Sequence, residues 1–525
     1  MLGNREGERG ESKVMKKSIW KDTAIHSALY FPKYTGEKTT DVVVIGAGIT
    51  GLTTAMLLTE AGKKVIVLEA SKIGDGTTGY SSCHLTTDID AEYRNVYADF
   101  GEDIARLVAE SRKAGIDFIE NISLEKAIEC DFKRVPGYLY AEIKENISDL
   151  NEELEYASKA GVDITTATNV PLPFKTEKAL LFLNQAVFNS QKYLNSLARY
   201  SSDKGCEIFE NSSVIHTEEK DDYFIVRTAE GLVKAKSIVF ATHLPLFFNV
   251  LQTVAAPYIS YMIGVRLKND SYPEGLFWDM QEPYHYLRTY EDEKGKILLV
   301  GGEDHKTGHE TNTSSRYDNL EKYVRERFEV EEVVYQWSSQ YFEPADGLPY
   351  IGRSPFSKKA YVATGFSGDG LVYGTIAAMM ISDMIKEKAN KWLKAYDATR
   401  FTPAASAYDF IKENSDVAKH FITDRFKTEK AKEFDELKPG EGRLMNVNGE
   451  KLAVAKDKDN TIYALSPVCT HLKCFVLWNN SEKSWDCPCH GSRFNIKGEV
   501  ITGPAVKALE QKQPTSKEGE KTKKG

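Results

Sequence analysis

The residues with the most specific chemistry lie near the C-terminal end. Cys469 and His471 are one residue apart, and after a gap of 15 residues come Cys487 and His490. Two thiolates and two imidazoles at such spacing suit a metal, and by ligand type alone the set could hold zinc. Four of the seven cysteines, Cys469, Cys474, Cys487 and Cys489, fall in one short stretch, while Cys83, Cys130 and Cys206 are isolated. In an intracellular chain such a cluster points to a metal rather than to a disulfide framework. A second constellation lies near the start. Gly46, Gly48 and Gly51 form G-x-G-x-x-G, and Glu69 follows 18 residues after the last of them. The three glycines allow a tight turn, close backbone approach to a pyrophosphate and close helix packing, while an acidic residue at that distance can accept hydrogen bonds from a ribose diol.

Both constellations need elements to hold them. Residues 41–45 (DVVVI) read as a central parallel strand, the helical spacing of Ile49, Leu52 and Met56 continues to Gly62, and residues 65–68 (VIVL) make the next strand. The glycines therefore sit between strand and helix, with Glu69 at the end of the second strand. Alternating segments at 284–288 and 297–300 indicate an antiparallel sheet between about 251 and 335. The residues from about 436 onward are short strands with Gly, Asn and Asp turns. With 525 residues, 68 Lys plus Arg against 77 Asp plus Glu and a net charge of −9, the chain is multidomain and unsuited to nucleic acid or anionic membranes. No window is apolar enough for a transmembrane segment, and the polar N-terminus lacks a secretory core, so a cytoplasmic location is expected.

Over residues 40–390 the chain resembles the D-amino-acid-oxidase-like, or glycine-oxidase-like, family of FAD enzymes. The segments that carry the likeness are DVVVIGAGITGLTTAMLL, LEASKIGDGTTGYSSCHLTT, IVFATHLPL and DGLPYIGRS followed by YVATGFSGDGLVYGT. The resemblance implies FAD as cofactor, with Gly365, Gly368 and Gly370 passing close to the flavin, Ser213 and Val214 by the adenine, and Ala241 in a further FAD-binding segment. It also implies that residues 76–87, with Thr77 and Thr78, run along the isoalloxazine. Tyr80 stands where some relatives carry a flavin-attached histidine, so noncovalent FAD is expected.

The loops CTHLKC and CPCHGS resemble those of Rieske domains, which implies a [2Fe–2S] cluster held by Cys469, His471, Cys487 and His490. The same resemblance pairs Cys474 with Cys489 in a disulfide. Lys473 replaces the usual glycine of the first loop, Ser492 matches a serine that hydrogen-bonds a cluster sulfur, and Phe494 replaces the tyrosine of high-potential relatives. The fold class expected is thus an α/β Rossmann-like FAD domain with an interleaved α+β substrate domain, plus a small all-β C-terminal Rieske domain. The boundaries are a polar leader at 1–40, FAD-binding parts at about 41–125, 190–250 and 340–390, and substrate-domain parts at about 126–189 and 251–339. A helical linker at 391–435, the Rieske domain at 436–511 and a disordered tail at 512–525 complete the chain.

The resemblance implies oxidation of a carbon–nitrogen bond in an amine or amino acid by hydride transfer to flavin. Arg288 is the candidate for a substrate carboxylate, with Tyr286 and His285 beside it and His84 as a further catalytic candidate. The run GGEDHKTGHE, with Glu303, Asp304, His305, His309 and Glu310, invites comparison with a mononuclear iron site. Flavin takes a hydride and a Rieske centre single electrons, so the fusion suggests a dehydrogenase serving a one-electron acceptor or donor protein. The alternative is an electron-transfer partner or redox sensor without its own substrate, which has no need of the large segment 251–335.

Overall fold

In the structure, a computed structural model, residues 14–27, 29–247, 249–355, 357–400, 437–447 and 449–513 are described. The β-branched run at 41–45 ends a longer strand, β1 (Gly36–Ile45), which leads through the glycine turn into α1 (Ile49–Glu60) and β2 (Val65–Leu68). β1 pairs in parallel with β2 on one side and with β3 (Gly231–Phe240) on the other, at the centre of an eight-stranded sheet. Its residues Val42–Ile45 are buried, as a central parallel strand requires.

A nine-stranded sheet forms the second layer. Its strands β4 (Ala255–Leu267), β5 (His285–Asp292), β6 (Gly295–Lys306) and β7 (Val330–Pro344) are antiparallel, with α2 (Ser314–Arg327) between β6 and β7 in sequence. Side chains alternate across it. Leu287, Leu298, Val300 and Ile263 pack toward α2, whereas Tyr290, Ile297, Leu299, Met262 and Trp337 join the core shared with α1. The second face is the one turned to the nucleotide-binding elements. The C-terminal domain is all β, a three-stranded and a four-stranded antiparallel sheet around Trp485, Phe494 and the cysteines. No described helix is long and apolar enough to cross a membrane.

Two boundary readings change. From Val14 onward the polar leader is folded: Ile19 and Trp20 are fully buried, the Ser18 hydroxyl accepts from Trp20 N, and Trp20 Nε1 donates to Ser81 O at 2.7 Å. A few apolar anchors suffice to dock a segment whose average composition is polar. At the other end of this body, the first residues of the expected linker belong to it. The helix Leu393–Tyr396 buries Tyr396, and Arg400 pairs with Asp346 at 2.6 Å. Residues 401–435 of that linker, residue 436 after it, and the tail from 514 lie outside the described residues.

Candidate functional site

The nucleotide cradle is built by absence of side chains. A Cβ on Gly51 would lie 1.9 Å from the Gly46 carbonyl oxygen, and one on Gly46, at φ +101°, would lie 2.5 Å from that of Ala241. Only glycine lets α1 start this close behind β1. At Gly48 a Cβ would come within 3.0 Å of Thr78 Oγ1, which accepts from Ile49 N in the first turn of α1. Glu69 is held at the cradle by bonds from Ala47 N at 2.7 Å and Ser71 N at 2.9 Å, and burial pushes its carboxyl pKa up. Thr77 Oγ1 donates to Gln340 O, and Gly365 takes φ +72°. Val214 is buried, two residues beyond Ser212, whose N donates to Glu69 O. Gly368 N donates to Asp90 Oδ2, and Gly370 opens the helix Gly370–Ile385. Bare backbone, a helix N-terminus and a terminal carboxylate fit the pyrophosphate and ribose of FAD.

The nine-stranded sheet brings a polar cluster to the face turned toward these elements. Tyr341 OH donates to Asp304 Oδ2 at 2.8 Å, Ser260 and Tyr284 stand beside the same carboxyl, and Ser260 Oγ is 3.1 Å from Tyr286 OH. Among the described residues Asp304 Oδ1 accepts no hydrogen bond. Burial raises the Asp304 carboxyl to about 6, against the pull of its hydroxyl partners. Tyr286 packs edge-on to His84, ring centroids 5.6 Å apart, in the 76–87 segment. Burial, then the charge of Arg288, holds the His84 pKa well below its ordinary value, so the ring is neutral.

Arg288 is engaged by backbone through one nitrogen, while its Nε is buried without a partner among the described residues. Its Nη1 donates to Cys83 O at 2.8 Å and its guanidinium lies over Trp20, 5.1 Å from the ring centroid. Burial lowers it to about 10. His285 sits on the opposite sheet face, its Nδ1 3.0 Å from Asp279 Oδ2. The run GGEDHKTGHE likewise splits. Glu303 bonds Arg316 and Asn319 on α2, Asp304 turns to the tyrosines, and His305 Nε2 meets Tyr261 OH. Strand alternation separates the side chains, and among the described residues this run forms no iron site. Asp304 was visible in the sequence only as part of that run, while Trp20, Asp90 and Gln340 carry no motif.

The second centre lies in the C-terminal domain. Cys469 and Cys487 are 0% and 2% exposed. Their sulfurs share a hydrogen bond, which holds the Cys469 thiol down at about 7 and pushes that of Cys487 up. The rings of His471 and His490 are 5.2 Å apart, and His471 Nε2 and His490 Nδ1 are buried without a partner among the described residues. Two thiols and two imidazoles with unsatisfied nitrogens fit a [2Fe–2S] cluster. Cys474 and Cys489 are joined in a disulfide, whose sulfurs lie within 4.8 Å of that of Cys487. Ser492 reaches Cys469, and Phe494 is fully buried. Phe494→Tyr should therefore raise the cluster potential. A hydrogen bond worth about 1.4 kcal/mol more to the reduced state corresponds to about 59 mV for one electron, and a redox titration reads it.

The two centres face each other across a tight seam. Gln340 Nε2 donates to Gly491 O at 2.9 Å, next to His490, while Gln340 O accepts from Thr77. Gly491, at φ +71°, leaves a Cβ only 2.6 Å from Pro257 Cβ, and one on Gly308 would be 2.8 Å from Pro488 N. Thr313 Oγ1 donates to Asn479 Oδ1 at 2.7 Å and Tyr317 OH to Glu482 at 3.1 Å.

Comparison with known proteins agrees with this arrangement. The model of the DAO family, FAD dependent oxidoreductase, matches residues 41–384, and that of the Rieske [2Fe-2S] domain matches residues 428–513. YhfW of Bacillus subtilis (strain 168), described as a Rieske 2Fe-2S iron-sulfur protein, is 32% identical over 484 residues, covering 92% of this chain and 95% of its own. Gamma-glutamylputrescine oxidoreductase of Escherichia coli (strain K12) is 23% identical over 377 residues, 67% of this chain and 85% of its own. Glycine oxidase from Geobacillus kaustophilus superposes with a TM-score of 0.58 at 16% identity, covering 69% of this chain and 99% of that one.

Proposed function

Because the chain belongs to the FAD-dependent oxidoreductase (DAO) family and carries a Rieske [2Fe-2S] domain, we propose that it oxidises the carbon–nitrogen bond of a cationic amine and delivers the electrons singly to an external acceptor. FAD, when bound, supplies hydride acceptance, and the [2Fe–2S] cluster supplies one-electron transfer. The observation that carries the choice of an amine is Asp304, a half-buried carboxyl with one oxygen unpaired on the sheet face turned to the FAD elements. Arg288, the cation that an amino-acid carboxylate would need, has its Nη1 engaged by backbone carbonyls and its Nε unpaired among the described residues. The name of the Escherichia coli relative, which refers to an amine, points the same way.

In this reading Asp304 binds the substrate ammonium through Oδ1, while Tyr341 fixes the other oxygen. A carboxyl at about 6 is closer to neutral pH than an ordinary aspartate, so Oδ1 can take the proton that must leave before the nitrogen lone pair is available. Tyr286 and neutral His84 wall the pocket and exclude water. Arg288 positions the residue 82–83 backbone that carries His84. The test is anaerobic titration of the holoprotein with amines and with amino acids, followed by optical and EPR spectra. Bleaching of the flavin and then reduction of the cluster by amines alone is the expected result. Bleaching only by amino acids, or peroxide formation at the full turnover rate, would refute it.

A further inference from the structure

The loop that carries the first two cluster ligands has two different sides. Cys469 is buried, and His490 on the neighbouring loop is 6% exposed beneath the flavoprotein. Outward stands Leu472, a large apolar side chain 39% exposed, followed by exposed Lys473. Thr470 Oγ1 donates to Lys507 O, which ties a second exposed lysine to the same loop. Among the described residues no ion pair is formed by Lys473 or Lys507. Lys473 moreover takes φ +67°, a left-handed conformation that costs a residue with a Cβ about 1 kcal/mol and glycine almost nothing. Such strain persists where the side chain has a use that offsets it. A solvated lysine gives the fold nothing in return.

We propose that Leu472, Lys473 and Lys507 form the docking surface for an acidic one-electron carrier protein, the acceptor of the electrons that leave this chain. The proposal rests on the reading that electrons depart through the cluster. In the step one electron passes from the reduced cluster to the carrier's one-electron centre, and no bond or proton changes place. The whole chain carries a net charge of −9, which repels an acidic partner at distance. A small basic patch beside the cluster then selects the orientation in which the carrier can come close.

Lys473→Gly separates this role from a structural one, since glycine relieves the backbone and removes only the cation. Its melting temperature should be equal to or above that of the wild type, with an unchanged EPR spectrum of the cluster. Dithionite-reduced holoprotein mixed with an acidic c-type cytochrome should be reoxidised about three- to tenfold more slowly by the variant at low salt, with a matching loss of affinity, because single charges at the rim of an interface act mainly on association. The difference should vanish at about 0.5 M salt, where screening acts within a few ångströms. Lys473→Glu should be slower still, and a basic c-type cytochrome should reverse the order. Equal rates and affinities at low salt would overturn the proposal, as would a lower melting temperature for Lys473→Gly. Failure of any amine to bleach the flavin would refute the functional reading while leaving these rates unaffected.

Discussion

Asp304→Asn is expected to lower kcat/KM for a cationic amine by about 2–4 kcal/mol, roughly thirty- to thousandfold, because it removes the buried partner of a charge. The loss should fall on KM, through the missing ion pair, and on kcat, through the missing proton acceptor. The pH dependence follows from the carboxyl at about 6: amine affinity should fall as pH drops through that value and the carboxylate is neutralised. Stability should move the other way. The folded pKa lies above the ordinary 3.8, so the folded state holds more protons than the unfolded chain between about pH 4 and pH 6, and stability declines as pH rises through that window. The substituted amide is always neutral, and the variant should be at least as stable as the wild type at neutral pH in thermal unfolding. A weaker fold together with a weaker substrate response would mean that Asp304 is only a packing residue.

Gly51→Ala should cost the protein its FAD. The new methyl would lie 1.9 Å from the Gly46 carbonyl oxygen, a backbone atom with nowhere to retreat, since Gly46 N is itself bonded to Leu68 O. The start of α1 must then back away from β1, at a cost of about 3 kcal/mol or more, and the turn and helix N-terminus that meet the pyrophosphate separate. The purified variant should show a flavin-to-protein ratio near zero and keep the EPR signal of its cluster. Gly62→Ala, at the far end of α1, is the control. Its φ is positive, but its Cβ would meet nothing within 4 Å, so it should lose only about 1 kcal/mol of stability and retain FAD. Equal flavin content in the two variants would remove the packing argument.

What was legible in the sequence was chemistry concentrated in short spans. The turn between β1 and α1 and the two ligand loops place all their functional atoms within a few residues, so spacing alone nearly determines geometry. The polar cluster around Asp304 is different. Asp304, Tyr341, Ser260 and Tyr284 come from three strands and the approach to a fourth, and they meet only because antiparallel pairing brings those strands together. Alternation along β6 then decides which members of GGEDHKTGHE point together, and a run read in one dimension conceals it. Arg288 was identified by type, but its partners are carbonyls at residues 83 and 188, which no motif announces. Trp20 was hidden because composition averages over the segment around it.

The seam between the domains also bears on how the holoprotein matures. With the ligand cysteines 0% and 2% exposed, His490 6% exposed, and Gly491 and Pro488 pressed against the flavoprotein, His471 is the ligand left partly exposed. Docking of the C-terminal domain thus covers three of the four ligands and leaves iron, sulfide and chelators their approach on the His471 side.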